Sequence, residues 1–586
     1  MDDRSPRRPA ADATRRTFLA FLGGLGASAP VLAKALAGGQ DGGGAPMVEN
    51  IRAAEVLSGL EFTDGERQLM AEGVAELRDQ YRALRQVDVA NSVAPALRFD
   101  PLLPGMELDA ERPPVSPRPS VEPAVEIDPD DEESLAFAPV HRLAPLVASG
   151  AVSSERLTRL YLDRLEGLGP KLECVITLTA DRALEQAKSA DAEIRAGRYR
   201  GPLHGIPWGA KDLLSVAGYP TTWGARPFRD QRIDHTAAVV RRLDDAGAVL
   251  VAKLTLGALA WGDVWFGGMT RNPWNLEQGS SGSSAGSASA TAAGLVGFAI
   301  GSETWGSIVS PSTRCGTTGL RPTFGRVSRD GAMALSWSMD KLGPICRSVE
   351  DCALVFDAIR GVNPGETDAT VVDRPFAWDP KREFRALRVG YVKADFEGDP
   401  TEGAENEEQA TAMREGRGFD LAVLETLRTM GIELVPMELP DLPFSALSFI
   451  LSAEAAAAFD DLTRSGRDDE LVRQVAQAWP NVFRQARTIP AVEYVQANRV
   501  RTLVMEQMAQ RLEGLDAYVS SSFSPNLLLT NLTGNPAVVV PSGFRADGTP
   551  TSITFGGNLY GEEKVLLLAM AYQHATGYHL KHPGLA

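Results

Sequence analysis

From about residue 136 onward, the chain alternates between two patterns of apolar residues. Short apolar runs at 248–252, 389–392 and 537–540 predict strands that are buried on both faces. Elsewhere apolar residues recur every three or four positions, and after a cap at Ser154 they predict a helix that stops at residues 167–170. This alternation predicts an α/β domain over residues 136–586, with a sheet that is largely covered by helices.

The residues before this domain, 38–135, are predicted to form an extension. Thr63 and Glu66 have the spacing of a capping box, and the apolar residues that follow predict one amphipathic helix over about 65–86. Nine prolines between 95 and 129 then exclude a regular helix or a central strand, and the acidic run 128–133 overlaps the end of this segment. We expect a helical segment and a proline-rich acidic linker that wrap the domain and contribute no chemistry.

Residues 1–37 combine the features of a bacterial export signal. Arginines precede a short apolar run diluted by glycine, and Ala35 and Ala37 offer a cleavage site between small residues. Arg15 and Arg16 are arranged as in a twin-arginine signal, which exports folded proteins. The run is shorter than the roughly 20 residues of a membrane span. We expect a periplasmic or secreted protein with no stable membrane anchor after cleavage, although the sequence leaves open whether cleavage occurs.

Composition narrows the possible partners. The 586 residues include 59 Lys and Arg against 76 Asp and Glu, a net charge of −17, which argues against nucleic acid because phosphates require a basic face. Six histidines and four cysteines are too few for a metal-rich or disulfide-stabilised protein, so we expect no metal. One disulfide, between Cys346 and Cys352 for example, stays open, as does the choice between monomer and homodimer.

A Gly/Ser-rich stretch at 279–288 is the most informative segment of the chain. Such runs are usually flexible linkers, but this one leads directly into the apolar stretch 290–300 and leaves no room for a domain boundary. It also matches the G-x-S-x-G pattern of an α/β-hydrolase nucleophile, yet no predicted strand precedes it as that site requires. We interpret it, with the small residues of 301–311, as loops that let backbone N–H groups approach a ligand.

Lys211 lies near the end of a third short segment, residues 201–212, which contains several glycines and prolines. Removing a lysine from water lowers its pKa and allows it to act as a base. In chain order, the motifs G-I-P-x-x-x-K-D, G-S-S-x-G-S-A and G-S-x-T-x-G-S-I resemble the amidase signature family, and the likeness extends over about residues 138–580. The resemblance implies a single α/β domain with a mixed central β-sheet, and an enzyme that hydrolyses the C–N bond of linear amides.

The resemblance also implies roles for individual residues. Ser307 matches the nucleophile, Ser283 the serine after a cis peptide bond, and Lys211 the base, which together imply a Ser-cisSer-Lys triad and an acyl-enzyme. The implied oxyanion hole comprises the backbone N–H groups of Thr304, Trp305, Gly306 and Ser307. We expect no cofactor and a small-molecule or peptide amide as substrate. Trp208 and Trp305 lie inside the motifs and are expected to line the substrate pocket.

Three residues depart from the family pattern, because Glu303 replaces an aspartate, Trp305 a glycine and Val309 an arginine. Val309 removes a cation close to the nucleophile, and Trp305 either faces the cleft or packs into the core. Because the triad residues are all present, we favour a working enzyme. The alternative is a catalytically silent, amidase-fold binding or accessory protein of the periplasm. A role within an amidotransferase is disfavoured, since export would separate the protein from tRNA.

Overall fold

The computed structural model describes residues 48–59, 61–68, 91–92, 97–102, 127–401 and 404–585. The signal peptide predicted at 1–37 lies outside them, as do most of the helix predicted over 65–86 and much of the proline-rich segment. The described residues divide into two compact units, one running to residue 92 and including 484–494, the other comprising 97–483 and 495–585. The domain bounds proposed from the sequence stay predictions.

Seventeen α-helices lie wholly within the described residues, and helices of the second unit flank one large sheet. In chain order they are α1 (Val48–Ser58), α2 (Glu132–Phe137), α3 (Val140–Ser149), α4 (Ser154–Leu172), α5 (Ala180–Arg195), α6 (Ala238–Asp245), α7 (Ala285–Ala292), α8 (Val309–Cys315), α9 (Val349–Ile359), α10 (Lys393–Phe396), α11 (Glu407–Thr429), α12 (Phe449–Ala458), α13 (Asp460–Arg464), α14 (Trp479–Ala486), α15 (Ala491–Arg511), α16 (Asn526–Thr533) and α17 (Glu562–Thr576). None of the helices in the described part of the chain is both long and apolar enough to cross a membrane.

The strands, in chain order, are β1 (Val175–Leu178), β2 (Pro207–Lys211), β3 (Val249–Leu254), β4 (Val264–Trp265), β5 (Gly268–Met269), β6 (Arg271–Asn272), β7 (Asn275–Gly279), β8 (Phe298–Glu303), β9 (Thr318–Arg321), β10 (Lys341–Cys346), β11 (Val389–Val392), β12 (Leu434–Met437), β13 (Ala517–Ser521), β14 (Ala537–Phe544) and β15 (Pro550–Gly557). Eleven of them form one sheet in the order β1-β3-β2-β8-β10-β9-β14-β15-β13-β11-β12, and the other four form two small ribbons. Parallel pairs flank β2 and β11, and the remaining pairs are antiparallel, so the sheet is mixed.

The predicted fold class, α/β with a mixed central sheet covered by helices, is therefore confirmed. The three apolar runs identified in the sequence correspond to β3, β11 and β14. Every residue of β3 is buried, which explains why its sequence is apolar without alternation. In the first unit, the capping box is also confirmed, since Thr63 N donates to Glu66 Oε2 at 2.6 Å and Glu66 N donates to Thr63 Oγ1 at 3.3 Å.

The predicted bounds of α4 are wrong at both ends. Ser153, not Ser154, is the N-cap, because its side chain accepts a hydrogen bond from Arg156 N at 3.1 Å. The helix also continues through Pro170 to Leu172, whose side chain is fully buried. A Cβ at Gly169 would lie 3.2 Å from a Val175 methyl group, so this glycine serves the close approach of β1 and does not end the helix.

The four cysteines are buried free thiols, so the Cys346–Cys352 disulfide that the sequence left open is not formed. Cys352 Sγ donates instead to the Thr318 carbonyl at 3.6 Å.

Candidate active site

The candidate site lies at one edge of the sheet, where two parallel strands end side by side. Lys211 is the last residue of β2, and Ser302 and Glu303 end the neighbouring strand β8. Two loops meet this edge, one carrying Ser283 into α7 and the other carrying Ser307 into α8. Because neighbouring parallel strands end at the same edge, the topology brings together residues that are distant in sequence.

Lys211 is surrounded by serine oxygens. Its Nζ lies 2.8 Å from Ser283 Oγ, 3.0 Å from Ser284 Oγ and 2.8 Å from Ser302 Oγ, with the Ser302 carbonyl oxygen at 3.4 Å. The lysine side chain is fully buried, and within the described residues it forms no ion pair with a carboxylate. Its surroundings therefore offer hydrogen-bonding groups but no full negative charge in contact.

Burial lowers the pKa of Lys211 well below its ordinary value, because the ammonium ion loses its hydration. The carboxylates of Asp340 and Glu303 offset only part of this effect. The site thus favours a neutral amine, which has a lone pair to accept a proton. This is the chemical requirement for a lysine that acts as a base.

The two serine loops are joined through Ser284. The Gly282–Ser283 peptide bond is cis, as the family resemblance implied. Ser284 N donates to the Ser307 carbonyl oxygen at 3.1 Å, and Ser284 Oγ both accepts from Ser302 N and donates to Ser302 O, each at 3.1 Å. Ser307 is half-buried, and its hydroxyl makes no hydrogen bond within the described residues. The structure thus joins Lys211 and Ser283 directly and holds Ser307 beside them, with its hydroxyl available.

The backbone N–H groups of residues 304–307 also make no hydrogen bond within the described residues. Gly306 has a φ of +85°, in the left-handed region that favours glycine. Trp305 is not among the residues with positive φ, so a tryptophan fits at this position without that conformation. Unpaired donors in one loop next to a serine hydroxyl are the arrangement that an oxyanion requires.

Glu303 fixes the far end of this loop, a role that the sequence analysis did not assign. Its Oε2 accepts from Ile308 N at 2.8 Å and Val309 N at 3.0 Å, and its Oε1 accepts from Arg321 at 2.7 Å and Asn531 at 2.8 Å. Burial raises the pKa of this carboxyl, but Arg321 and the hydrogen bonds outweigh burial and lower the pKa to about 2. Glu303 is therefore an ionised, fully buried brace for the residues that follow Ser307.

Asp340 supports the same loop at Thr304. Thr304 Oγ1 donates to Asp340 Oδ1 at 2.5 Å, while Leu335 N and Ser336 N donate to its second oxygen at 2.8 and 2.9 Å. Burial raises the pKa of Asp340 above its usual range despite these hydrogen bonds.

The sequence analysis also missed the contacts of Ser284 and Ser302 with Lys211. For Ser284 the sequence offered a signal, since it follows Ser283 directly, whereas the strand that brings Ser302 to Lys211 was not predicted.

The two tryptophans expected in the pocket differ in position. Trp208 is fully buried, and its ring stacks on Phe298 with centroids 6.0 Å apart, so the expectation that it lines the pocket is wrong. It lies three residues before Lys211 on β2, and side chains three apart on a strand point to opposite faces. Trp305 lies in the nucleophile loop and is 46% exposed, so it does not pack into the core.

Phe523 is the second exposed aromatic residue near the site. It is 63% exposed and borders a cavity of about 310 Å³ that also reaches Ser281 and Ser310. No group of three or more His, Cys, Asp or Glu side chains suited to a metal ion occurs among the described residues.

Known proteins with a similar sequence and fold show which family the chain belongs to. The Amidase family model matches residues 156–527. The A subunit of the glutamyl-tRNA(Gln) amidotransferase of Roseiflexus castenholzii is 33% identical over 488 residues, which cover 75% of this chain and 96% of that protein. The peptide amidase from Stenotrophomonas maltophilia is 30% identical with a TM-score of 0.65, over 75% of this chain and 97% of its own. The 6-aminohexanoate cyclic dimer hydrolase shares the fold at 22% identity and a TM-score of 0.64, over 77% and 99% of the two chains.

The chain belongs to the amidase family, as its motifs indicated. It is an amidase, an enzyme that hydrolyses amide C–N bonds.

Proposed function

We propose that this amidase acts through Ser307 as nucleophile, Ser283 as proton relay and Lys211 as base, with an acyl-enzyme intermediate. The observation that carries the proposal is the 2.8 Å contact between the fully buried Lys211 Nζ and Ser283 Oγ. A buried lysine that forms no ion pair is costly to keep charged, so its neutral form is available to accept a proton.

In the proposed reaction, Ser307 Oγ attacks the amide carbonyl carbon while its proton passes through Ser283 to Lys211. The carbonyl oxygen becomes an oxyanion, which N–H groups of residues 304–307 stabilise; loss of one such donor typically costs about 3–4 kcal/mol. Lys211 returns the proton through Ser283 to the leaving nitrogen, the C–N bond breaks and an ester on Ser307 remains. Water, deprotonated by the same relay, then hydrolyses the ester and restores the serine.

Ser284 and Ser302 orient the lysine in this scheme. A neutral amine has two N–H donors and one lone pair. The Ser284 hydroxyl donates to the Ser302 carbonyl, so it faces Lys211 as an acceptor and takes one N–H. Ser302 Oγ, 2.8 Å from Nζ, takes the other, which leaves the lone pair directed to Ser283.

We further propose that the substrate is a linear or peptide amide and that the enzyme works in the periplasm or outside the cell. The exposed ring of Trp305 offers an apolar surface beside the nucleophile, and a similar protein is a peptide amidase. Export is supported by the twin-arginine segment around Arg15 and Arg16. Several relatives are named as part of a glutamyl-tRNA(Gln) amidotransferase, but such a role requires a tRNA partner, which the net charge of −17 disfavours.

Hydrolysis of an amide library by the wild type, Ser307→Ala and Ser289→Ala tests this function. Ser289 is the matched control, because it lies on α7 and its hydroxyl donates to Arg271 O at 2.8 Å, away from Lys211. We expect release of acid and amine by the wild type and Ser289→Ala, and none by Ser307→Ala. Activity that survives in Ser307→Ala would contradict the proposed nucleophile, and an inactive wild type would favour the silent binding protein.

A further inference from the structure

A second cavity, of about 340 Å³, lies in the same unit at the opposite end of α7 from Ser283 and Ser284. Its wall includes Ala292, the last residue of α7, and an eight-residue helix is about 12 Å long, so the cavity is separate from the candidate active site. Its volume falls within the range of about 300–1,000 Å³ that is usual for small-molecule pockets.

The walls of this cavity are mainly apolar and aromatic. Phe137, Trp274 and Leu580 line it, and residues near both ends of the domain close it. The Phe137 ring stacks on His582 with centroids 3.9 Å apart, and Trp274 Nε1 donates to the Cys315 carbonyl at 2.7 Å. These contacts hold the aromatic walls in place, and the Arg164 guanidinium also packs on the Phe137 ring, 5.2 Å from its centroid.

One wall carries a buried cation. Arg347 is only 8% exposed, and its guanidinium donates to the carbonyl oxygens of Thr291, Val296 and Ala138 at 3.1, 2.8 and 2.9 Å. It also lies 3.4 Å from the Tyr161 hydroxyl, to which it donates. Within the described residues no carboxylate forms an ion pair with it, and its Nε–H has no acceptor. Carbonyl and hydroxyl oxygens satisfy N–H groups but carry only partial charge, so no full negative charge is in contact with this buried guanidinium.

Other polar groups in the wall also favour a negatively charged ligand. The Thr317 hydroxyl, also in the wall, is buried without a hydrogen-bond partner among the described residues. Arg142 and Lys581 add two further cations. The acidic residues of the lining, Asp131 and Glu133, are exposed, and the Asp131 carboxylate already accepts from Glu133 N and Ser134 N at the start of α2.

We propose that this cavity is a binding site for a carboxylate with an apolar body, such as a medium-chain or aryl carboxylic acid. The apolar part lies against the aromatic walls, and the carboxylate neutralises the charge of Arg347. An anion is favoured over a neutral ligand because only an anion compensates the buried guanidinium.

Isothermal titration calorimetry of the full chain with octanoate tests this site, with octanol as the neutral comparison. We expect octanoate to bind, octanol to bind more weakly, and Arg347→Gln to raise the octanoate Kd by about tenfold or more. Arg242→Gln is the matched control. Arg242 is also 8% exposed and donates to the Gly361 carbonyl at 2.7 Å, but it pairs with Glu366 and does not line the cavity.

Ala292→Leu is a second variant, which fills the cavity and leaves Arg347 in place. It tests the proposed site even if Arg347→Gln fails to fold. We expect it to weaken octanoate binding by a similar factor. Trp305→Ala distinguishes this cavity from the candidate active site and should keep the wild-type Kd. The proposal is overturned if octanoate does not bind, if Ala292→Leu binds it as tightly as the wild type, or if only Trp305→Ala loses binding.

Discussion

Replacing the buried Glu303 carboxylate should destabilise the fold and loosen the nucleophile loop together. In Glu303→Gln, an amide with one acceptor oxygen faces Arg321, Asn531 and two backbone N–H groups that now share four hydrogen bonds to a carboxylate. Arg321 is fully buried, and its ion pair with Glu303 at 2.7 Å would be lost. Removing one partner of a buried ion pair typically costs about 3–5 kcal/mol of stability.

The pKa of Glu303 gives a second value for this loss of stability. A pKa lowered from 4.5 to about 2 corresponds to about 3 kcal/mol in favour of the ionised carboxylate in the folded state. Because the folded pKa is the lower one, this stability is present above pH 4.5 and is lost as the pH falls toward 2. The stability difference between wild type and Glu303→Gln should therefore be largest at neutral pH and shrink on acidification.

Urea unfolding at several pH values measures this difference, and turnover measured on the same samples reports on the loop. The control is Glu277→Gln, which changes an exposed glutamate on β7 and should leave stability and turnover unchanged. Glu303→Gln with wild-type stability at pH 7, or a difference that grows as the pH falls, would refute the assignment of Glu303 as an ionised brace.

The remaining predictions concern the relay, the pocket and export. Lys211→Ala and Ser283→Ala should each lower kcat by orders of magnitude, and the double variant should be little worse than either, because the residues act as a unit; additive losses in steady-state kinetics would contradict the relay. Because Lys211 must be neutral to act as a base, and burial lowers its pKa well below 10.5, activity should rise with pH through that lowered value, and this limb should be absent from the pH profile of Lys211→Met. Trp305→Gly should broaden acyl specificity with little change in Tm, because the ring is 46% exposed; unchanged specificity with a large fall in Tm would contradict this. Lys substitutions of both Arg15 and Arg16 should retain the protein in the cytoplasm, as cell fractionation and immunoblotting would show, whereas unchanged export would exclude the twin-arginine route.

Much of the fold could be predicted from the sequence, and so could the grouping of the site residues, because both depend on local signals. Apolar runs such as that of β3 identify buried strands, and the motifs identify Lys211, Ser283 and Ser307 before any distance is known. The cis bond at Ser283 follows from the same resemblance.

The parts that could not be predicted depend on tertiary contacts. Trp208 lies in a motif, yet the strand directs its ring into the core. Both faces of β2 are buried, and a motif alone does not reveal which side chains of such a strand reach the site. Arg321 and Asn531 lie far apart in sequence and meet only at Glu303. Pro170 favours the end of a helix in the sequence, whereas buried Leu172 extends it, so packing overrides local propensity.

Covalent labelling by a fluorophosphonate tests the central claim most directly, since only an activated serine reacts. We expect mass-spectrometric peptide mapping to place a single label on Ser307, with wild-type labelling in Ser289→Ala, much slower labelling in Lys211→Met and none in Ser307→Ala. A label on another residue, or labelling that is unchanged in Ser307→Ala, would contradict the account.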